Sequence, residues 1–275
     1  MKIDAHQHFW RYNPAEYGWI DDSMARLRRD YLPEDLRENL RAMGFDGSIA
    51  VQARQCVEET SWLLAIAREA DVLRGVVGWV PLASDTVRRE LERFAADPLF
   101  KGVRHVVQDE LDDDFILRED FNRGVSLLRE FRLIYDILIF ERHLPRAITF
   151  VDRHPNQVFV LDHIAKPRIR AGKLEPWKKN ITALAERRNV YCKLSGLVTE
   201  ADVTHPSYEA LLPYMETVLE AFGPARLMFG SDWPVCLSAC EYATWATWVH
   251  DFISKLSSTE QSRILGNTAV EAYNL

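Results

Sequence analysis

Lys2-Ile3-Asp4-Ala5-His6-Gln7-His8 opens the chain with a short apolar-leaning run that ends in polar residues, and Leu227-Met228-Phe229-Gly230-Ser231-Asp232 repeats that plan near the other end. Six further runs of the same kind lie between them. The strand candidates are Lys2–His6, Ser48–Gln52, Gly75–Val80, Gly102–Val106, Leu133–Ile139, Val158–Asp162, Val190–Leu194 and Leu227–Gly230. They are near-continuous in apolar character rather than alternating, the pattern of strands covered on both faces in a parallel sheet. Helix-period stripes separate them: Leu36, Leu40 and Met43; Leu63, Leu64, Ala67 and Ala70; Leu91, Phe94 and Ala95; Leu127, Leu128 and Phe131. The segment Ala239–Ile253 is an aromatic-rich helix whose Tyr242, Trp245 and Trp248 read as core packing. Eight strands alternating with helices at intervals of about 32 residues predict an α/β fold, a single-domain (β/α)8 TIM-type barrel over residues 1–275. An open doubly wound sheet is the competitor, but no G-x-G-x-x-G or P-loop follows any strand. No Pro/Gly/Ser-rich linker interrupts the chain, and the acidic stretch Asp109–Asp114 reads as a solvated loop after the fourth strand.

Composition narrows the function. Of 275 residues, 47% are hydrophobic and 27% charged, which is ordinary for a globular protein and excludes disorder. A formal charge of −7 argues against nucleic-acid or anionic-membrane partners, which need a basic field. No apolar run reaches the 18 or so residues of a membrane span, and the N-terminus is too polar for a signal peptide, so a cytoplasmic setting is expected. Four cysteines are too few for a disulfide framework. Cys236 and Cys240 form a C-x3-C pair with no second pair to complete a zinc site, and read as buried or idle thiols. The sequence leaves the oligomeric state open, a homo-oligomer included.

In such a barrel, polar residues at the C-terminal ends of strands face the site. The first strand ends in His6-Gln7-His8, and alternation points both imidazoles the same way, suited to a divalent metal or a polarised carbonyl oxygen. The sixth run ends in Asp162-His163 and the eighth in Ser231-Asp232. Each of these residues has an ordinary structural explanation when taken singly. Three histidines and an aspartate, each at a strand end, are better explained by one site. Arg104 and Lys193, ending the fourth and seventh strands, are candidates to contact a substrate carbonyl or hydroxyl, with His105 beside Arg104. Gln52, Arg54, Trp79 and Glu141-Arg142 are further mouth residues whose donors, acceptors and indole face fit a polyhydroxylated ring. Trp10, Trp19 and Trp233 lie near the same mouth and read as packing.

H-x-H after the first strand together with Gly230-Ser231-Asp232-Trp233-Pro234 after the eighth resembles the amidohydrolase superfamily. Ala5–Trp10, Leu161–Pro167, Lys193–Asp202 and Phe229–Leu237 are similar to its sugar-lactonase branch, with L-fuconolactonases closest in likeness and L-rhamnonolactonases near by. The likeness runs from Lys2 to Ile264–Ala269. It implies that His6, His8, His163 and Asp232 surround the reacting centre, that the same four would ligate a metal if one is bound, and that Asp232 is the general base on water. The chain departs from the superfamily pattern in two places. Arg104-His105 stands where binuclear members carry a carboxylated lysine or a glutamate, and Asp136 with Ile137–Ile139 stands where many mononuclear members carry another histidine. A site with so few charged ligands is expected to need no metal, or to hold one divalent ion, zinc, weakly. The expected reaction is opening of an aldono-lactone to the sugar acid. A metal-dependent decarboxylase of the same superfamily and a non-catalytic sugar-binding barrel are the alternatives. A decarboxylase would hold metal firmly in an apolar pocket, and a binding module has no need of an aspartate among three imidazoles.

Overall fold

A computed structural model describes residues 1–275. Its eight strands are β1 (Ile3–Gln7), β2 (Gly47–Val51), β3 (Leu73–Gly78), β4 (Phe100–Val106), β5 (Ile134–Leu138), β6 (Phe159–Leu161), β7 (Val190–Leu194) and β8 (Leu227–Phe229). All eight coincide with the expected runs to within two residues at each end. They pair in parallel in chain order, β1 through β8, as one sheet. The sheet is closed at its upper rim, where His8 N donates to the Trp233 carbonyl at 2.7 Å and Asp232 N to the His6 carbonyl at 2.8 Å. This is the (β/α)8 barrel that the spacing predicts. No helix is long and apolar enough to cross a membrane.

Outside the sheet run α1 (Pro33–Met43), α2 (Val57–Glu69), α3 (Val87–Ala95), α4 (Glu119–Leu127), α5 (Leu144–Arg153), α6 (Trp177–Ala185), α7 (Leu197–Glu200), α8 (Tyr208–Phe222), α9 (Tyr242–Ile253), α10 (Ser258–Ser262) and α11 (Thr268–Tyr273). The expected stripes turn inward: Leu36 and Leu40, Leu63 and Leu64, Leu91 and Phe94 are buried against the sheet. Tyr242 and Trp245 are buried too, and Trp245 donates its indole N–H to the Gly230 carbonyl at 2.9 Å, so the aromatic stripe of α9 braces the end of β8. Cys236 is a buried free thiol. The acidic loop after β4 is anchored rather than simply solvated. Glu110 takes His105, Asp113 takes Arg142 and His143, and Asp114 takes Arg146.

The barrel interior is layered. Its lower part is apolar, built from Ile3, Ala5, Ile49, Val51, Val77, Ile134, Val160 and Met228, and α11 plugs the base with Ala269, Ala272 and Tyr273. Above it sit charged residues, and the mouth lies above those. In β1 the pairing with β2 slips between Asp4 and Gln7. Below the slip Asp4 reaches outward to accept the Ser231 N–H at 2.8 Å; above it His6 and His8 face the interior and Gln7 reaches Ser48. Such an irregularity re-aims side chains beside a site.

The base closes around a glycine. Gly266 lies in the wide turn Arg263–Asn267, and a Cβ there would fall 2.1 Å from the Met1 carbonyl oxygen and 2.9 Å from Ile3 N, both backbone atoms that cannot move aside cheaply. Gly266→Ala is therefore expected to lower the melting temperature by about 2–12 °C, since overpacking costs about 1–3 kcal/mol and each kcal/mol shifts a protein of this size by about 2–4 °C. Differential scanning calorimetry checks this, and an unchanged midpoint would mean the turn relaxes freely.

Candidate active site

The strand ends bring His6, His8, His163 and Asp232 together. Asp232 Oδ1 lies 3.3 Å from His8 Nε2, 3.7 Å from His6 Nε2 and 3.9 Å from His163 Nε2. All four are at least nine-tenths buried. Burial alone would raise the Asp232 carboxyl, but His163, His8 and His6 outweigh it and hold the group well below the usual carboxylate range. It is an anion at every pH of interest. Burial pulls the His163 imidazole down to about 4, against the pull of Asp232 and Asp162, so near neutral pH the ring is uncharged.

Two of the four residues sit on backbone that L-residues rarely adopt. Asp232 has φ +58°, and His163 begins a run of four left-handed residues with Ile164, Ala165 and Lys166, at φ +52°, +49°, +61° and +47°. A left-handed turn costs about 1–2 kcal/mol per residue. Surrounding contacts hold it: Trp177 Nε1 donates to the Ile164 carbonyl at 2.7 Å, and Lys166 N to the His163 carbonyl at 2.8 Å. Gly196, itself at φ +69°, lets the segment after β7 approach so closely that a Cβ would stand 2.6 Å from the His163 ring. Ser195 Oγ, 2.9 Å from His163 Nδ1, fixes the ring's rotation.

Beneath the imidazoles lies a buried charge network that runs down to the plug. Tyr273 donates to Asp136 at 3.0 Å, Lys193 bridges Asp136 and Asp162, and Arg104 Nη1 donates to the other Asp162 oxygen at 2.9 Å. Asp162 Oδ1 is 3.3 Å from His6 Nδ1. Burial raises Asp136 to about 6 despite Lys193. At Asp162 burial is overridden by Lys193, His6 and Arg104, leaving the carboxyl well below its usual value. Gln52 receives the remaining Arg104 donors on its side-chain and backbone oxygens.

A cavity of about 550 Å³ opens above these groups, and seven of its 18 lining residues are hydrophobic. His8, Gln52, Arg54, Arg104, His163 and Asp232 line it, as the strand ends predict, with His6 just beneath. Trp19 lines it as well, 39% exposed, whereas Trp10 and Trp233 are buried in packing. Trp79, His105, Glu141 and Lys193 do not reach the wall. Because Arg104 faces inward, His105 faces outward, stacked on Phe115 and hydrogen-bonded to Trp79 and Glu110. Lys193 lies one layer too deep, with no exposed surface. Glu141 pairs with Arg168 in a neighbouring cavity of about 530 Å³.

Sequence reading missed Ser195, Lys166 and the role of Asp162. Asp162 carries a legible signal, a carboxylate ending an apolar strand directly before a candidate histidine. Lys166 carries none, because only the left-handed turn swings it to the cavity wall.

The donor set fits one divalent ion. His8 donates Nδ1–H to the Val51 carbonyl at 2.8 Å, which turns its Nε2 toward Asp232 and His6. Separations of 3.2 to 3.7 Å among His6, His8 and Asp232 match the roughly 3.3 Å edge of a tetrahedron with bonds of about 2.0–2.1 Å. Lys193 Nζ and Arg104 Nη1, 3.2 and 3.4 Å from the two nitrogens of His6, oppose a further positive charge.

Known proteins share this architecture. Residues 3–275 match the family described as Amidohydrolase, and the chain belongs to it. An L-fucono-1,5-lactonase from Burkholderia multivorans is 42% identical over 286 residues, covering 100% of this chain and 96% of its own. An L-fucono-1,5-lactonase from Burkholderia ambifaria is 36% identical, again over 100% of this chain and 96% of its own. The crystal structure of a Burkholderia multivorans amidohydrolase with bound zinc superposes with a TM-score of 0.96 at 41% identity, over 100% of this chain and 99% of that one.

Asp162→Asn removes the one carboxylate that Lys193 and Arg104 share. It is expected to cost about 3–5 kcal/mol, the usual penalty for leaving a buried charge uncompensated. Equilibrium urea unfolding measures it, and a loss under about 1 kcal/mol would mean water reaches the network.

Proposed function

We propose that the protein hydrolyses an aldono-lactone of the L-fucono-1,5-lactone kind to its sugar acid, with Asp232 as general base. One observation carries this reading: an ionised carboxylate, ringed by three imidazoles, at the floor of a polar cavity of sugar size. The two relatives named as L-fucono-1,5-lactonases support the substrate class. The polar wall disfavours the decarboxylase alternative, and the strained, buried Asp232 disfavours a purely binding role.

A lactone needs a deprotonated water, a stabilised oxyanion and a protonated leaving oxygen. Asp232 takes the water proton as the new C–O bond forms, a role worth about 10²–10⁴ in rate. The resulting acid then delivers that proton to the ring oxygen as the acyl–oxygen bond breaks, so one carboxylate serves both steps. The developing oxyanion is stabilised by the preorganised donors around it, among them Arg104, which Asp162 and Gln52 hold rigid. Ser195 can donate to His163 Nδ1, which leaves the Nε2 proton of the neutral ring facing the cavity. Gln52, Arg54 and the Trp19 indole offer partners for hydroxyl groups and the sugar face. His6, His8 and Asp232, with His163 beside them, would hold a divalent ion, which when bound supplies Lewis-acid polarisation. The neighbouring Lys193 and Arg104 charges support reading that ion as weakly held and dispensable. The four free cysteines suit a reducing, cytoplasmic setting.

Acid release from L-fucono- and L-rhamnono-lactones, followed with a pH indicator, tests the reading, with carbon dioxide release from an aromatic acid as control. Asp232→Asn is expected to lower kcat by at least about a hundredfold with an unchanged circular dichroism spectrum. Near-normal turnover in that variant assigns the base elsewhere. Exhaustive chelation is expected to leave most activity intact. Complete loss that zinc restores would show that the metal is required.

A further inference from the structure

Lys166 closes the left-handed turn that begins at His163, and its half-buried side chain forms part of the wall shared by the catalytic cavity and the neighbouring one. The other cations of that wall are neutralised. Arg54 pairs with Glu16 at 3.1 Å, and Arg104 pairs with Asp162 at 2.9 Å while also donating to Gln52. Lys166 makes no ion pair and no side-chain hydrogen bond. Its ammonium lies 5.6 Å from the centre of the Phe140 ring, and Glu200 is close enough to feel the charge without bonding to it. An unpaired ammonium, carried on four strained residues at the edge of the reaction centre, is poised for an anion.

The reaction proposed above makes one. Water oxygen bonds to the carbonyl carbon, the bond from that carbon to the ring oxygen breaks, and the ring oxygen leaves as a hydroxyl. The new carboxylic acid gives its remaining proton to solvent at neutral pH. An uncharged substrate thus becomes a carboxylate inside the cavity.

We propose that Lys166 is the residue by which the cavity distinguishes product from substrate, its ammonium binding the carboxylate of the ring-opened sugar acid and making that acid a competitive inhibitor. The acid offers the ammonium a full opposite charge, whereas the neutral lactone offers only a carbonyl or hydroxyl dipole, so the lactone gains less from the same group. The inference rests on the lactonase reading for its chemistry, but binding of the acid can be measured without turnover.

Sodium L-fuconate is titrated calorimetrically into the wild-type chain, Lys166→Met and Lys166→Arg, and its competitive inhibition constant is measured in the lactone assay. Lys166→Met is expected to weaken acid binding at least about tenfold, and by a larger factor than it raises KM for the neutral lactone; Lys166→Arg is expected to stay within about threefold of wild type. Three results would overturn the proposal: no detectable binding of the acid to wild type, binding to Lys166→Met within twofold of wild type, or equal weakening of acid and lactone. Acid binding that depends on Lys166 in a chain that opens no lactone would sink the activity reading and leave only the carboxylate site at Lys166 standing.

Discussion

Asp232 N–H donating to the His6 carbonyl, and His8 N–H donating to the Trp233 carbonyl, form the seam that joins the last strand to the first. Those two bonds close the cylinder at its mouth, and they belong to three of the four residues of the candidate site. Closure and site are therefore one structural event. If the seam opened, Asp232 would separate from both imidazoles at the end of β1 together. Around the seam, Asp4 accepts the Ser231 amide and Ser231 Oγ donates to the His6 carbonyl, so β8 is pinned to β1 by side chains as well as by backbone. The register slip in β1 is what lets an outward Asp4 serve the seam while His6, two residues on, faces the barrel interior.

Below the seam, the barrel spends part of its core on charge. Asp136, Lys193, Asp162 and Arg104 are almost wholly buried, and hydrophobic residues of similar volume would often be as stable. What the network provides is orientation. Asp162 faces both His6 and Arg104, Lys193 stands against the His6 ring, and Tyr273 ties the far end to the plug of α11. Each group that touches the cavity floor is held by a partner that is itself held. Such preorganisation is what electrostatic catalysis requires, because donors that are already aimed need not reorganise as charge develops.

Strain gathers at the same place. Positive φ at Asp232 and through His163–Lys166 is costly, and it survives because tight contacts on every side over-determine it. Gly196 shows how tight they are, since the approach of the segment after β7 to the His163 ring leaves no room for a methyl group. The strained turn also decides which side chains reach a cavity, burying Ile164 and Ala165 while turning His163 toward the mouth and Lys166 to the wall between the two cavities.

The eight strands and the four strand-end residues were legible in the sequence because they follow from period and position. Apolar runs covered on both faces mark parallel strands, and the closed barrel gathers whatever ends them at one rim. His6, His8, His163 and Asp232, some 230 residues apart at the extremes, could be placed together on that basis alone. Depth and facing were not legible. Lys193 ends a strand like the others but sits one layer below the mouth, and His105, next to Arg104, points to the helices instead. The depth of Lys193 depends on stagger between strands, which no single strand encodes, whereas the facing of His105 follows from alternation once packing has turned Arg104 inward. Lys166 was hidden more completely, because a run of left-handed residues has no compositional mark when it contains no glycine. The chain by itself determined the cylinder and the rim on which its chemistry stands. Only tertiary packing, by imposing stagger and holding strained backbone in place, decided which side chains touch the cavity and which support those that do.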